Sequence, residues 1–398
     1  MVIKPRIKGS LALNAHPVGC KKAVEDQIEY VKSSTSYNGA KKVLILGASS
    51  GYGLASRISL AFGGSKADTI GVSFEKEGNG RKPGSAGWYN NIWFKEAAEK
   101  EGLVAKNFIG DAFSHEMRDE VIKYIKEEFG GEIDLLVYSL ASGVRKDPDT
   151  GEVYRSQLRP KGVSITGPTF NVEKESIEEL TLDPATPEDE ANTIKVMGGE
   201  DWNLWVDALT EANVVSKGFQ TLAYSYIGAE ITRRIYREGT IGGAKEHLEN
   251  TALDLNKKLK DSIGGSAHVA VKRAIVTKAS AFIPIFPLYA TVLFKVMEEK
   301  GIEENAIAHT HRLFTDMIFG DKMEMDDKGR IRPDSWEMRE DVQREVMEIY
   351  KDITVDNFKE LTDFARYKRD FMQLNGFEID GVDYEADVDL EAMAKLRP

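Results

Sequence analysis

The chain has 398 residues, 41% hydrophobic and 30% charged, which is enough apolar side chain to bury a large core and excludes a disordered chain. A formal charge of −12 argues against nucleic acid or an anionic membrane as the principal partner, because phosphate contacts need clustered Lys and Arg. One cysteine, Cys20, excludes an intrachain disulfide and a cysteine-built zinc site, and fits a reducing compartment.

The opening MVIKPRIKGS lacks the apolar core of a signal peptide, so a cytoplasmic protein is expected. Residues 1–40 carry two short extended pieces and a helix around 24–32, read as an N-terminal embellishment. From Lys42 the chain alternates: strand VLILG, helix through Phe62, strand TIGVSFE, helix over 91–100, strand LVAKNFI, helix over 115–129, strand DLLVYSL. Strands alternating with helices predict right-handed crossovers and an α/β fold, a Rossmann-type doubly wound parallel sheet of the short-chain dehydrogenase kind. One enlarged domain is expected, with a nucleotide-binding half over 41–143, an insertion over 144–200, a catalytic and substrate half over 201–300, and C-terminal helices and a cap over 301–398.

The stretch VLILGASSGYG, residues 43–53, runs from a buried strand through a tight turn into a helix N-terminus. Such a corner binds phosphate, since glycines let the backbone approach an anion that the free N–H groups and the helix dipole favour. Gly47, Gly51 and Gly53 follow the G-x-x-x-G-x-G spacing of short-chain enzymes; Ala48, Ser49, Ser50 and Tyr52 complete the corner, the serines as added donors. Ligands of such a sheet lie beyond the carboxyl ends of its strands. Phe74 and Glu75 end the second strand about 20 residues on, where an acid accepts hydrogen bonds from an adenosine ribose and repels a 2′-phosphate. That favours NADH (NAD) as cofactor, although Lys76, Arg81 and Lys82 leave a 2′-phosphate open. Asp111 and Ala112 are expected beside the adenine, and Ser139, Leu140 and Ala141 near the nicotinamide ribose.

Turn-formers and charge between 144 and 199 predict hairpins and a loop over the site, either a substrate-side flap or a surface elaboration. Trp202, Trp205, Val206 and Leu209 mark the core face of a helix. The strand QTLAYSY then delivers Tyr226, as a substrate-binding phenol or a half-buried strand tyrosine. Tyr236 and Lys245 stand either side of eight residues that include Gly239, Gly242 and Gly243, with a helix expected from about Ala244. In the strand HVAVKRAIVT, the terminal Ile275, Val276 and Thr277 would meet the nicotinamide amide and pyrophosphate. SAFIPIFPLY continues into a helix ending near Lys300, as an acyl-pocket wall or as core. The apolar run 279–294 is broken by Pro284 and Pro287 and falls short of the ~20 residues a membrane span needs. Segments 306–319 and 340–351 read as surface helices, and no metal is expected, because His309 and His311 are two apart and no acid cluster joins them.

A phenol with a pKa near ~10 stabilises an anion poorly at neutral pH unless a cation supports it. Lys245 offers that charge and a hold on the nicotinamide ribose. Hydride arriving at the β-carbon of an α,β-unsaturated thioester leaves negative charge on the thioester oxygen, which a tyrosine hydroxyl stabilises as an oxyanion donor. Tyr236 and Lys245 are therefore the catalytic candidates, with Lys245 also binding cofactor and Tyr226 orienting the thioester carbonyl.

The same residues carry a resemblance. HPVGC at 16–20, LGASSGYGLASR from Leu46, GVSFE from Gly71, GWYNN from Gly87, KVMGGEDW from Lys195, AYSYIG from Ala223, YREGTIGGAK from Tyr236 and LNGFEIDGVDY from Leu374 resemble trans-2-enoyl-CoA reductases and the related large bacterial enoyl-acyl-carrier-protein reductases. The Tyr-x8-Lys spacing separates this family from ordinary short-chain dehydrogenases, with an interval of three, and from the smaller enoyl reductases, with six. The resemblance implies a monomeric or weakly associating, NADH-dependent reductase that saturates crotonyl-CoA and similar short enoyl thioesters in fatty acid or butyrate-type metabolism. Acyl carrier protein in place of coenzyme A, a short-chain ketone dehydrogenase, and a non-catalytic NAD sensor are the alternatives; the second lacks its shorter Tyr to Lys interval and the third should have lost the phenol or the lysine.

Overall fold

A computed structural model describes residues 1–398 except Ser10, Ala279, Ala281, Phe282 and Pro284. Its frame is six parallel strands: β1 (Lys42–Leu46), β2 (Asp68–Ser73), β3 (Ala105–Ile109), β4 (Ile133–Tyr138), β5 (Val215–Ser225) and β6 (Ser266–Val271). They lie in the order β6-β5-β4-β1-β2-β3, so the chain winds outward in both directions from β1 and leaves a crevice between β1 and β4.

Burial on both faces explains why β1 is apolar throughout. Leu44 and Leu46 face the core formed with Val121 and Ile125 of α3 (His115–Glu127), Trp202 and Trp205 of α4 (Glu200–Glu211), and Leu248 and Leu255 of α5 (Thr240–Ile263). Val43 and Ile45 face the opposite layer, with Leu60, Leu313 and Phe314. Each of these four strand side chains is fully buried, so the strand reads as a continuous run instead of an alternation. On that second face α1 (Gly51–Phe62) packs through Leu54 and Ile58 against Val24 and Ile28 of the helix Pro17–Ser33 and Ile92 of α2 (Ala86–Lys100).

Several boundaries differ from expectation for packing reasons. The N-terminal helix starts at Pro17, where His16 caps it by accepting the Gly19 N–H at 3.0 Å. α2 starts five residues before Asn91, because Trp88 and Tyr89 are core side chains. α5 starts at Thr240 and runs through Gly242 and Gly243; a side chain at Gly242 would meet the Arg237 carbonyl oxygen at 1.9 Å. β6 ends at Val271, so Ile275, Val276 and Thr277 lie in a loop beyond the strand. The 306–319 segment is the helix Ala306–Arg312 followed by a π-helical turn over Leu313–Ile318, and it is not a surface element: Ile307, Leu313, Phe314 and Met317 are buried. Val342 and Val346 of the helix Glu340–Lys351 are likewise buried, against Phe286, Tyr289 and Leu293 of α6 (Phe286–Glu299).

The insertion forms two antiparallel hairpins, Val144–Lys146 with Val153–Arg155 and Ile165–Asn171 with Ser176–Leu182, then a helix Pro187–Met197 whose Thr186 and Asp189 make a reciprocal capping box. Among the described residues no helix is long and apolar enough to cross a membrane. Leu44→Ala, which removes a fully buried side chain at the sheet centre, is expected to lower stability by about 2–5 kcal/mol in urea unfolding. A loss below about 1 kcal/mol would contradict this account of the core.

Candidate active site

The glycine corner is built by backbone contact. Gly47 and Gly51 hold φ of 84° and 53°, left-handed values that a side chain disfavours. A Cβ on Gly53 would lie 1.9 Å from the Gly47 carbonyl oxygen, so α1 meets the turn at a distance that only hydrogen allows. The N–H groups of Gly47 and Ala48 are spent on Val72 O at 2.9 and 3.1 Å, which ties the turn to β2.

Above this corner, at the carboxyl ends of the strands, lies a cavity of about 830 Å³, large enough for a dinucleotide and a small acyl group. Of the residues expected to bind cofactor, Gly47, Ser49, Ser50, Gly51, Tyr52, Phe74, Glu75, Asp111, Ala112, Ser139, Leu140, Ala141, Lys245, Ile275 and Thr277 line it. Ala48, Gly53 and Val276 do not: Ala48 is buried beneath the turn, Gly53 is packed under Gly47, and Val276 belongs to the core around α6. Tyr226 and Tyr236 line the same cavity.

Glu75 is held with its carboxylate fixed. Ser49 donates to its Oε1 at 2.5 Å and Ser85 to its Oε2, while a side chain at Gly87 would sit 2.0 Å from Oε1. Lys76, Arg81 and Lys82, the cations that would serve a 2′-phosphate, are exposed and do not line the cavity. Phe74 is 82% exposed at the mouth, an apolar ring that a flat base can cover.

The two phenols meet edge to face, with ring centroids 4.8 Å apart. They differ in what their hydroxyls do. Tyr226 donates to Glu337 Oε1 at 3.1 Å, whereas the hydroxyl of Tyr236, among the described residues, has no hydrogen-bond partner. Tyr236 is 4% exposed and is positioned by its backbone N–H on Thr232 O at 2.8 Å. Burial raises its pKa, which the Arg237 guanidinium opposes.

Among the described residues Lys245 makes no hydrogen bond to Tyr236. Its Nζ donates to the carbonyl oxygen of Tyr224 at 3.4 Å, and burial lowers its pKa to about 8, with Glu249 opposing the shift. Burial thus favours the protonated form of Tyr236, a neutral O–H donor.

Some of the site was not visible in the sequence. Lys272 lines the cavity while 2% exposed, its Nζ 4.4 Å from the Tyr52 ring centroid and 4.6 Å from that of Tyr224, and it donates to Thr310 Oγ1 at 3.2 Å. Burial holds its pKa well down. The available signal was a first charged residue directly after an apolar strand. Val144, Lys146 and Val153 of the first inserted hairpin also line the cavity, which makes that hairpin a wall of the site; the second packs Phe170 on Phe358 and Phe364 instead. In SAFIPIFPLY, Ile283 and Phe286 line the cavity; Ala281, Phe282 and Pro284 lie outside the described residues. Among the described residues, no three His, Cys, Asp or Glu side chains group as metal ligands. His309 is buried and driven to a pKa of about 3 by burial and by Lys272, against the pull of Glu304.

Comparison with known proteins covers almost the whole chain. Residues 82–319 match the family profile described as the trans-2-enoyl-CoA reductase catalytic region, and residues 2–80 the NAD(P)H binding domain of that enzyme. Residues 325–388 match a profile described as an enoyl reductase FAD binding domain. The chain is 57% identical to the NADH-dependent trans-2-enoyl-CoA reductase of Clostridium beijerinckii and 53% identical to an NADH-dependent enoyl-acyl-carrier-protein reductase of Photobacterium profundum, in both cases over 100% of each chain. The crystal structure of Clostridium acetobutylicum trans-2-enoyl-CoA reductase in complex with NADH superposes with a TM-score of 0.98 at 53% identity over 100% of both chains. That of the Treponema denticola enzyme with NAD superposes at 0.92 and 48% identity over 98% of both.

The flavin in one profile's description does not fit its segment. Residues 325–388 contribute nothing to the lining of the large cavity, and their Val342, Val346, Tyr367 and Phe371 are packed in the core around α6. A cavity that Met325, Lys328, Gly329 and Arg330 border measures about 90 Å³, too small for an isoalloxazine ring. No role is assigned to flavin. Glu75→Ala, by removing the fixed carboxylate, is expected to narrow the ratio of NADPH to NADH dissociation constants roughly tenfold in fluorescence titrations. An unchanged ratio would show that Glu75 does not read the ribose.

Proposed function

The chain belongs to the trans-2-enoyl-CoA reductase family, and from that premise we propose that it uses NADH to reduce the carbon–carbon double bond of short trans-2-enoyl-CoA thioesters, such as crotonyl-CoA to butyryl-CoA. One observation carries the reading: Tyr236, a buried phenol whose hydroxyl has no hydrogen-bond partner among the described residues, opens into the same cavity as the glycine corner and Glu75.

NADH supplies a hydride to the thioester's β-carbon. The backbone N–H groups of Ser50 and Gly51 bind the pyrophosphate at the N-terminus of α1, with Gly47 letting the chain approach it, and Glu75 accepts from the adenosine ribose. Lys245 donates to the nicotinamide ribose, and its pKa near 8 keeps it largely cationic at neutral pH. Tyr236 donates its hydrogen to the thioester oxygen as negative charge gathers there. Since this donor has no competing partner to leave, its hydrogen bond forms fully in the transition state. Ile283 and Phe286 give the acyl chain an apolar wall that excludes water.

Acyl carrier protein as the thioester carrier is the second reading, favoured by the Photobacterium relative. Rates with crotonyl-CoA and a matched crotonyl carrier protein decide between the two. The family resemblance supports a monomer, and the buried, unpaired Cys20 fits a reducing, cytoplasmic compartment. Tyr236→Phe is expected to lower turnover of crotonyl-CoA by ~10² or more with NADH affinity nearly intact. Near-normal turnover would remove Tyr236 from the mechanism.

A further inference from the structure

Glu337 is a fully buried carboxylate that follows the short turn Pro333–Trp336 and stands behind the cavity wall. Its Oε2 accepts the N–H of Ala274 at 2.6 Å, and its Oε1 accepts the hydroxyls of Tyr289 at 2.8 Å and Tyr226 at 3.1 Å. The Tyr289 oxygen already accepts from the Gln343 amide at 3.1 Å. Among the described residues the Tyr226 oxygen receives no donor. The charged and titratable groups facing this carboxylate are Arg273 beside Ala274, Asp334 on its own turn, Tyr52 of α1, and the phenols of Tyr226 and Tyr289. Burial raises its pKa to about 7; the Ala274 N–H and Arg273 resist that rise and Asp334 adds to it. Glu337 therefore exchanges its proton near neutrality.

We propose that Glu337 is a positioning residue that sets the direction of the Tyr226 hydroxyl, and through it the number of phenol donors offered to the thioester oxygen. With Glu337 ionised, the Tyr226 hydrogen is held on the carboxylate and Tyr226 turns only lone pairs to the cavity, so Tyr236 is the sole phenol donor. A protonated Glu337 needs an acceptor for its own O–H. Ala274 offers only a donor and the Tyr289 oxygen already accepts from Gln343, so the Tyr226 oxygen, which accepts from no described residue, is the freer acceptor. On accepting that hydrogen, Tyr226 turns its own toward the cavity, and a second donor joins Tyr236. One proton is taken up by the carboxyl and only hydrogen bonds rearrange.

This inference rests on the thioester reading above, and the experiment separates the two. Single-turnover oxidation of NADH by crotonyl-CoA is followed from about pH 5.5 to about pH 8. The wild-type rate is expected to rise roughly tenfold as pH falls through about 7, the gain of one partly shared oxyanion donor. In Glu337→Gln the amide oxygen accepts from Ala274 and the NH2 donates to Tyr226, so the high rate should hold at every pH. Tyr226→Phe should show the low rate throughout, and the double variant should match it. A flat wild-type profile, a Glu337→Gln profile like that of the wild type, or additive effects of the two substitutions would overturn the inference. If Glu337→Gln does not fold, the wild-type and Tyr226→Phe profiles decide alone, and equal pH dependence overturns it. Tyr236→Phe in the same assay isolates the underlying reading: its loss of turnover leaves thioester reduction standing whatever Glu337 does, and its retention removes both.

Discussion

The proposed chemistry depends on one buried hydroxyl that no other described residue binds. A buried hydroxyl ordinarily finds a partner, because leaving it without one costs about 1–3 kcal/mol. Tyr236 is held at 4% exposure with its backbone tied to Thr232 and its ring against Tyr226, while its hydroxyl faces the cavity. The turn that carries it is compressed onto α5: side chains at Gly239 and Gly242 would collide with the carbonyl oxygens of Ile235 and Arg237 at 2.1 and 1.9 Å. That compression gives the long Tyr to Lys interval a physical meaning. Here the phenol sits in a turn before the helix and the lysine inside the helix, so the two reach the cavity from different elements and do not need to touch.

Around that donor the cavity is divided by charge. Glu75 is locked at the β2 end by two serines and by the absence of a side chain at Gly87, whereas Lys245 and Lys272 stand at the β5 and β6 end. Behind Lys272, Arg273 meets Glu303 at 2.8 Å and Arg312 grips Glu304 at 2.6 and 2.7 Å, a buried ionic layer joining the loop after β6 to the C-terminal elements. Removing one partner of such a pair leaves an uncompensated buried charge, so a substitution at any one of these residues is costly to the wall behind the site.

What the sequence made legible followed from short-range rules. Alternating strands and helices, the glycine corner and the position of Glu75 each depend on residues close together in the chain, and they led to the sheet and to most of the lining. Boundaries failed where packing overrode propensity: Gly242 and Gly243 argued for a late start to α5, yet both are helical, Gly242 against the Arg237 carbonyl and Gly243 against the Glu190 carboxylate. The Tyr226 to Glu337 hydrogen bond spans 111 residues and the Tyr138 to Asp201 bond spans 63, and no local pattern announces either. The Lys245 hydrogen bond to the Tyr224 carbonyl was hidden for a related reason, since spacing along the chain cannot tell which oxygen an ammonium reaches.

The central claim is that the cavity delivers hydride to the β-carbon of a conjugated thioester while Tyr236 receives the charge at oxygen. Reduction of crotonyl-CoA with NADH carrying deuterium at the transferred position, with the product read by NMR, tests this directly. The account requires the label at C3 of butyryl-CoA and only solvent hydrogen added at C2. Label at C2, or its loss to water, would contradict it.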